Sequence, residues 1–176
     1  MSTNVTRIIG IDPGIASVGV AILENPRAKL IAAQHFEANA KTLDCRVAKY
    51  AKYFDELLEE YKPDIVAIET QYFAPYGKKT GAVASSIIKV GLVRGAFIGV
   101  ASIRNIPTMG IYPTEAKLAL TGDGSANKNK MIEYAQSIFK IKLRITEDHV
   151  ADALGIALAG LKQTLVLPIT LEDKKK

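Results

Sequence analysis

Three separate stretches of this sequence place an acid or an imidazole where a buried apolar residue would otherwise fit. Asp12 closes the first apolar run in Gly-Ile-Asp-Pro-Gly, and Glu69 closes a second, Ile-Val-Ala-Ile-Glu. His149 and Asp152 lie in Asp-His-Val-Ala-Asp-Ala-Leu-Gly-Ile-Ala-Leu, near the start of the last helical segment. A carboxylate in an apolar setting is costly unless a cation or hydrogen bonds compensate it. Three such places suggest one shared compensator, most simply a divalent metal. Carboxylates holding Mg²⁺ stabilise charge on phosphoryl groups, so the pattern points to phosphodiester chemistry. His149 and Asp152 are three residues apart, which puts both on one helix face and lets both point at one site.

Short apolar runs supply the frame for these residues. Arg7–Ile11 reads as a strand stopped by the turn pair Pro13-Gly14. Val18–Leu23 and Lys29–Phe36, broken apart by Asn25-Pro26, extend it into an antiparallel meander. Between Asp44 and Tyr61, the residues Val47, Tyr50, Ala51, Phe54, Leu57, Leu58 and Tyr61 form one helical stripe that Lys62-Pro63 ends. Asp64–Ile68 reads as a fourth strand, Thr80–Asn105 as a long helix and Thr108–Tyr112 as a fifth strand. Further helices are expected at Thr114–Leu120, closed by Gly122-Asp123-Gly124, at Asn127–Phe139 and at Thr146–Leu165. Thr146 reads as the cap of the last, with Glu147 and Asp148 in its first turn at the positive end of the dipole. Three hairpin strands followed by alternating helices and strands make a single α/β domain over residues 1–176, built on a mixed five-stranded sheet. The leader 1–4 and the tail 172–176 are expected to be disordered.

Charge is unevenly spread along the chain. The net charge is +5, yet from Gly77 to Arg144 eleven Lys/Arg face three Asp/Glu, a local +8. The acids singled out above lie in the flanks, an arrangement that suits a polyanion held by one region and cut by another. The single cysteine, Cys45, excludes an internal disulfide and a cysteine-based zinc site. The N-terminus has no basic segment leading into a long apolar stretch, so no signal peptide is expected. The most apolar segment, Ile87–Ile103, contains Lys89 and Arg94, which argues against a membrane span and for a soluble, reducing compartment. The same segment carries Gly91, Gly95 and Gly99 at four-residue spacing. Each glycine costs a helix about 1 kcal/mol relative to alanine. Three on one side imply the close approach of another backbone, either the protein's own sheet or a second subunit.

Taken in order, these motifs resemble the RuvC family of Holliday-junction resolvases, within the RNase H-like nucleases. Gly10–Ala21 resembles that family's first motif, and Ile68-Glu69-Thr70-Gln71-Tyr72-Phe73 its second. Gly122–Lys128 resembles the glycine loop before its basic helix, and His149–Ala157 its final motif. The resemblance runs from about Arg7 to Leu161. It implies an RNase H-like fold and a metal-dependent endodeoxyribonuclease that resolves four-way DNA junctions by paired nicks, leaving 5′-phosphate and 3′-hydroxyl ends. Asp12, Glu69, His149 and Asp152 become the metal ligands, holding two Mg²⁺ about 4 Å apart with Asp12 bridging them. An imidazole ligand suits Mn²⁺, which is expected to substitute. Asp148 competes with His149 for the ligand position and is read instead as a charge at the helix start. Lys117 and Lys128 fall where the family keeps lysines near the scissile phosphate. Lys78, Lys79 and Lys130 are weaker candidates for the DNA backbone. Tyr72 matches the aromatic placed at the junction centre, with Phe73 as the competitor. Paired nicks in a two-fold substrate imply a homodimer. A branch-migration motor is a possible further partner, and the cytoplasm, nucleoid-associated or that of a phage host, is the expected location.

Two rival readings fit parts of the pattern. One is a monomeric RNase H-like nuclease of the YqgF type acting on RNA, whose first motif is similar. The other is the sugar-kinase/actin fold, which needs a second similar domain and more residues than this chain has. A non-catalytic binding module is a third option, and the intact set of metal-binding residue types argues against it.

Overall fold

Why the acids end up together follows from which strands pair. A computed structural model describes residues 6–70 and 81–166. Strands β1 (Arg7–Asp12), β2 (Val18–Glu24), β3 (Lys29–Phe36), β4 (Ile65–Glu69) and β5 (Thr108–Ile111) form one sheet in the order β3-β2-β1-β4-β5. The first three pair antiparallel, as the short turns dictate. β4 lies parallel to β1, with Ile8 opposite Ile65 and Ile11 opposite Ile68, and β5 lies parallel to β4. The two acid-bearing strands, β1 and β4, are therefore neighbours running the same way, and their carboxyl ends open at one edge. That is where open α/β sheets place their ligands.

Both sheet faces are covered. On one, α1 (Leu43–Tyr61) and α2 (Gly81–Ile103) pack on Ile9, Ile11, Val66 and Ile68 through Tyr50, Phe54, Val93 and Phe97. On the other, α3 (Pro113–Thr121), α4 (Lys128–Phe139) and α5 (Asp148–Val166) cover Ile8, Ala21, Leu23, Ile65 and Ala67. The α1 stripe read from the sequence is the buried one: Tyr50, Phe54, Leu57 and Leu58 all point inward. Thr42 caps α1 and Asn127 caps α4, each side chain accepting from a backbone N–H three residues on. Gly122 ends α3 at φ 77°, the left-handed region that glycine adopts without strain.

The last helix starts differently from the reading above. Ile145–Glu147 form a 3₁₀ turn and α5 begins at Asp148, so Thr146 is not its cap. Glu147 instead folds back, accepting from the Arg144 backbone N–H at 2.7 Å, which draws its carboxyl below the usual range. The leader 1–4 and tail 172–176 lie outside the described residues.

Candidate active site

Side chains alternate along a strand. In β1, Ile8 faces the α5 layer, so Gly10 and Asp12 do too; in β4, Ile65 and Ala67 face it, so Glu69 follows. Asp12 and Glu69 are thus last residues of adjacent parallel strands, on one face, under the start of α5. Two glycines let α5 come down onto that face. A Cβ on Gly10 would lie 2.5 Å from the Ala153 carbonyl oxygen and from the Ala157 nitrogen. A Cβ on Gly19, the residue paired with Asp12 across β1 and β2, would lie 1.9 Å from the His149 carbonyl oxygen. Helix backbone rests directly on strand backbone at both points. His149, in the first turn, consequently reaches Asp12, and its Nδ1–H donates to Asp12 Oδ2 at 2.5 Å. With the carboxylate as acceptor Nδ1 carries the proton, so in the neutral ring Nε2 is the lone-pair donor.

The remaining chemistry lines one cleft: Glu69 and Asp152 with Lys117 and Lys128, walled by Pro113, Ala116 and Met131. Burial raises the Glu69 carboxyl to about 7, helped by the Asp12 and Asp152 charges. Burial likewise raises Asp152 to about 6, with Asp12 and Asp148 adding repulsion. The hydrogen bond to Asp12 raises His149. Three carboxylates and an imidazole held this close, with two of the acids destabilised as anions, are a donor set that suits a divalent cation. As the side chains stand, no group of three among the described residues converges as a ligand set, and Asp12 and His149 are bonded directly to each other.

The structure sorts the basic residues. Lys117, on α3, borders the cleft beside Glu69. Lys128, the first residue of α4, also borders it and forms an ion pair with Asp148. Burial opposes the Asp148 charge, but the Lys128 hydrogen bond and the His149 charge prevail and lower its pKa. Asp148 therefore orients a lysine, and His149 is the residue that meets Asp12. Lys130 turns away: its Nζ donates to Asp123 at 2.9 Å, and the same carboxylate accepts from the Ser125 backbone N–H and hydroxyl, tying the glycine loop. Tyr72, Phe73, Lys78 and Lys79 lie outside the described residues.

Sequence reasoning missed one contributor. Arg94, on α2, donates from Nε to the Glu69 carbonyl oxygen at 3.1 Å and from Nη2 to Thr70 Oγ1 at 3.4 Å. A signal was present, because a guanidinium inside an otherwise apolar helix needs a partner when half-buried.

This arrangement matches known proteins across nearly its whole length. The family model for crossover junction endodeoxyribonuclease RuvC covers residues 8–160. The chain belongs to the RuvC family. Relatives of that name include one from Carboxydothermus hydrogenoformans, 34% identical over 157 residues, covering 88% of this chain and 94% of the relative. Another, from Brevibacillus brevis, is 31% identical over 172 residues, covering 96% and 99%. Among solved structures, Thermus thermophilus RuvC superposes with a TM-score of 0.72 at 27% identity, over 92% of this chain and 97% of that one. The same protein in complex with Holliday junction substrate gives 0.77 at 26% identity, over 92% and 96%. The yeast mitochondrial Holliday junction resolvase Ydc2, at 16% identity and a TM-score of 0.65 over 91% and 79%, shares the fold. The RNase H-like mixed sheet expected from the sequence is the one observed. RuvC family membership makes this chain a metal-dependent, DNA-directed endonuclease of the crossover-junction class.

Proposed function

We propose that this chain resolves four-way DNA junctions as a homodimer, nicking two strands symmetrically with Mg²⁺, or Mn²⁺ in its place. The observation that carries this is the gathering of Asp12, Glu69, His149 and Asp152 at the carboxyl ends of β1 and β4, beside Lys117 and Lys128. Asp12, Glu69, His149 and Asp152 would hold the cation, relieving the repulsion that raises Glu69 and Asp152. A divalent cation here supplies charge stabilisation to phosphoryl oxygens and acidifies a water. The protein's own part is to orient and neutralise. Lys117 and Lys128 take the scissile phosphate in the cleft, Lys128 from the first turn of a helix, where the dipole also favours an anion. Asp148 holds the Lys128 ammonium at the cleft until phosphate competes for it. Water adds to phosphorus, the 3′ oxygen leaves, and the products carry 5′-phosphate and 3′-hydroxyl ends.

Helix α2 supports the dimer. Among the described residues, nothing lies within 4 Å of where a Cβ on Gly91, Gly95 or Gly99 would stand, so the glycine stripe does not pack on the protein's own sheet. Ile88 and Leu92 beside it are 64% and 48% exposed. The stretch Ser85–Ile103 is long and apolar enough to cross a membrane, with mean hydropathy 1.6 and 17% of it buried. Its Lys89, and the Arg94 bonded to the catalytic strand, favour a second copy of the chain as the covering surface. The YqgF-type reading is not favoured, since whole-length relatives are crossover junction endodeoxyribonucleases.

The test is incubation with a synthetic four-way junction and Mg²⁺, read on a denaturing gel. Paired nicks at symmetric positions, with matched duplex uncut, are expected. Equal cutting of duplex, or cutting of RNA alone, would overturn the reading.

A further inference from the structure

The Glu69 side chain and the Glu69 backbone are held from opposite layers of the molecule. The side chain faces α5 and the cleft, while the carbonyl oxygen is bonded by Arg94 from α2. Glu69 ends β4, so its carbonyl sits where ladder bonding gives out. The next residue, Thr70, keeps one sheet bond, its N–H donating to the Ile111 carbonyl at 2.7 Å. Its hydroxyl accepts from the second arm of the same guanidinium. A fork with two donors in fixed geometry is what clamps two acceptors on successive residues, and a lysine cannot reproduce it.

The neighbouring strand is shaped for this clamp. A Cβ on Gly110 of β5 would lie 2.2 Å from Thr70 Oγ1 and 3.6 Å from Arg94 Nη2. Any other residue there would push the hydroxyl off the guanidinium. Two observations on different elements thus converge on one contact: the arginine fork on α2 and the missing side chain on β5.

The geometry points to Arg94 as a positioning residue for metal binding: by fixing the Glu69–Thr70 backbone to α2, it sets where the Glu69 carboxylate stands relative to Asp12 and Asp152. This rests on the proposed role of Glu69 as a metal ligand. Arg94 bonds the Glu69 carbonyl and the Thr70 hydroxyl, and it acts through Glu69. It follows that its effect vanishes when Glu69 no longer has a charge to place.

The test is a double-mutant cycle on the full chain, reading Mn²⁺ affinity without DNA by the electron paramagnetic resonance signal of free Mn²⁺. Arg94→Gln is expected to weaken Mn²⁺ binding about five- to tenfold in the wild-type background and to change it less than about 1.5-fold in Glu69→Gln. Arg94→Lys, which keeps the charge but not the fork, should fall between the two. Thr70→Val, which loses one acceptor and little volume, should give a smaller loss of the same kind. Sedimentation and the far-UV spectrum should match wild type in each, which keeps a folding failure apart from a positioning effect. Equal losses in both backgrounds would mean that Arg94 acts on the whole fold, and no loss in either would mean that the clamp is idle; both overturn the proposal. A wild-type chain that binds Mn²⁺ no better than Glu69→Gln would overturn the role of Glu69 itself, and the proposal with it.

Discussion

Helices α2 and α5 are both long and apolar, 23 and 19 residues, and the fold uses them in opposite ways. α5 lies against β1 and β2 with Ala151, Ala153, Leu154, Ile156 and Ala157 fully enclosed. α2 turns Val93, Phe97 and Ala101 inward and leaves Ile88, Leu92 and the glycine stripe open. Glycines serve both: beneath α5, Gly10 and Gly19 are filled by helix backbone, and α5's own Gly155 and Gly160 pack on Ala116 and Ile8, whereas the α2 glycines meet none of the described residues. An apolar helix with its small residues occupied is a finished core. One whose small residues meet none of the described residues is the surface proposed above for a second copy of the chain.

The widest effects come from breaking the finished side at its chemistry. Asp12→Asn and Asp152→Asn keep shape and lose the charge proposed to hold a cation, whose contribution would be several kcal/mol, so junction cleavage should fall by about 10³-fold or more. Junction binding and sedimentation should be unchanged, and a gel showing near-normal nicking would remove that residue from the site. His149→Ala should be nearly as severe, while His149→Asp should retain activity in Mg²⁺ because a carboxylate is a harder ligand.

Next come the glycines themselves. Gly19→Ala forces its Cβ into the His149 carbonyl and should destabilise the chain by about 3 kcal/mol or more, lowering the melting temperature by roughly 6–12 °C. Gly91→Ala meets open space and adds helix propensity, so at concentrations where the protein is monomeric it should raise the melting temperature by a few degrees. Gly95→Leu sharpens the contrast: it should leave metal binding intact, shift sedimentation toward monomer, and convert paired nicks in a cruciform plasmid into single ones. Equal melting shifts at Gly19 and Gly91 would erase the distinction between the two helices.

A smaller effect depends on pH. Glu69 is raised to about 7 in the folded chain, above its ordinary value of 4.5. Its ionised form therefore opposes folding, and the stability it contributes is full below about pH 4.5 and lost as pH rises through about 7. Glu69→Gln removes that penalty. In metal-free buffer at pH 8 the variant should be more stable than wild type by on the order of 1–3 kcal/mol, with the gain fading by pH 5. Thermal melts at the two pH values measure it, and a pH-independent difference would contradict the burial of Glu69. Smallest is the contrast between lysines. Lys128→Ala should slow cleavage more than it weakens junction binding, while Lys130→Ala, tied to Asp123, should mainly loosen the glycine loop.

Asp12 and Glu69 were legible in the sequence because each ends an apolar run, and strand ends with acids are costly unless used. The same reasoning found His149 and Asp152 from their spacing. The start of α5 was misplaced because Thr146 has capping chemistry, yet the chain spends those residues on a 3₁₀ turn that the Arg144–Glu147 contact closes. Arg94 was noticed only as a charge unsuited to a membrane, since its partner is a backbone carbonyl, and a carbonyl has no letter in a sequence. Gly10 and Gly19 were read as motif members. Their work depends on a helix that arrives more than a hundred residues later, which no local pattern displays.

That late arrival has a consequence for the protein while it is being made. Asp12 and His149 are 137 residues apart, and the helix carrying His149 follows all five strands in the chain. Four of the five strands could pair as soon as β4 emerges, but the face that holds Asp12 and Glu69 stays bare until α5 settles over Gly10 and Gly19. A nascent or prematurely ended chain therefore displays the acids without their histidine, Asp152 or roof, and carries no assembled nuclease. Synthesis order thus puts the strands that carry Asp12 and Glu69 ahead of the helix that closes over them.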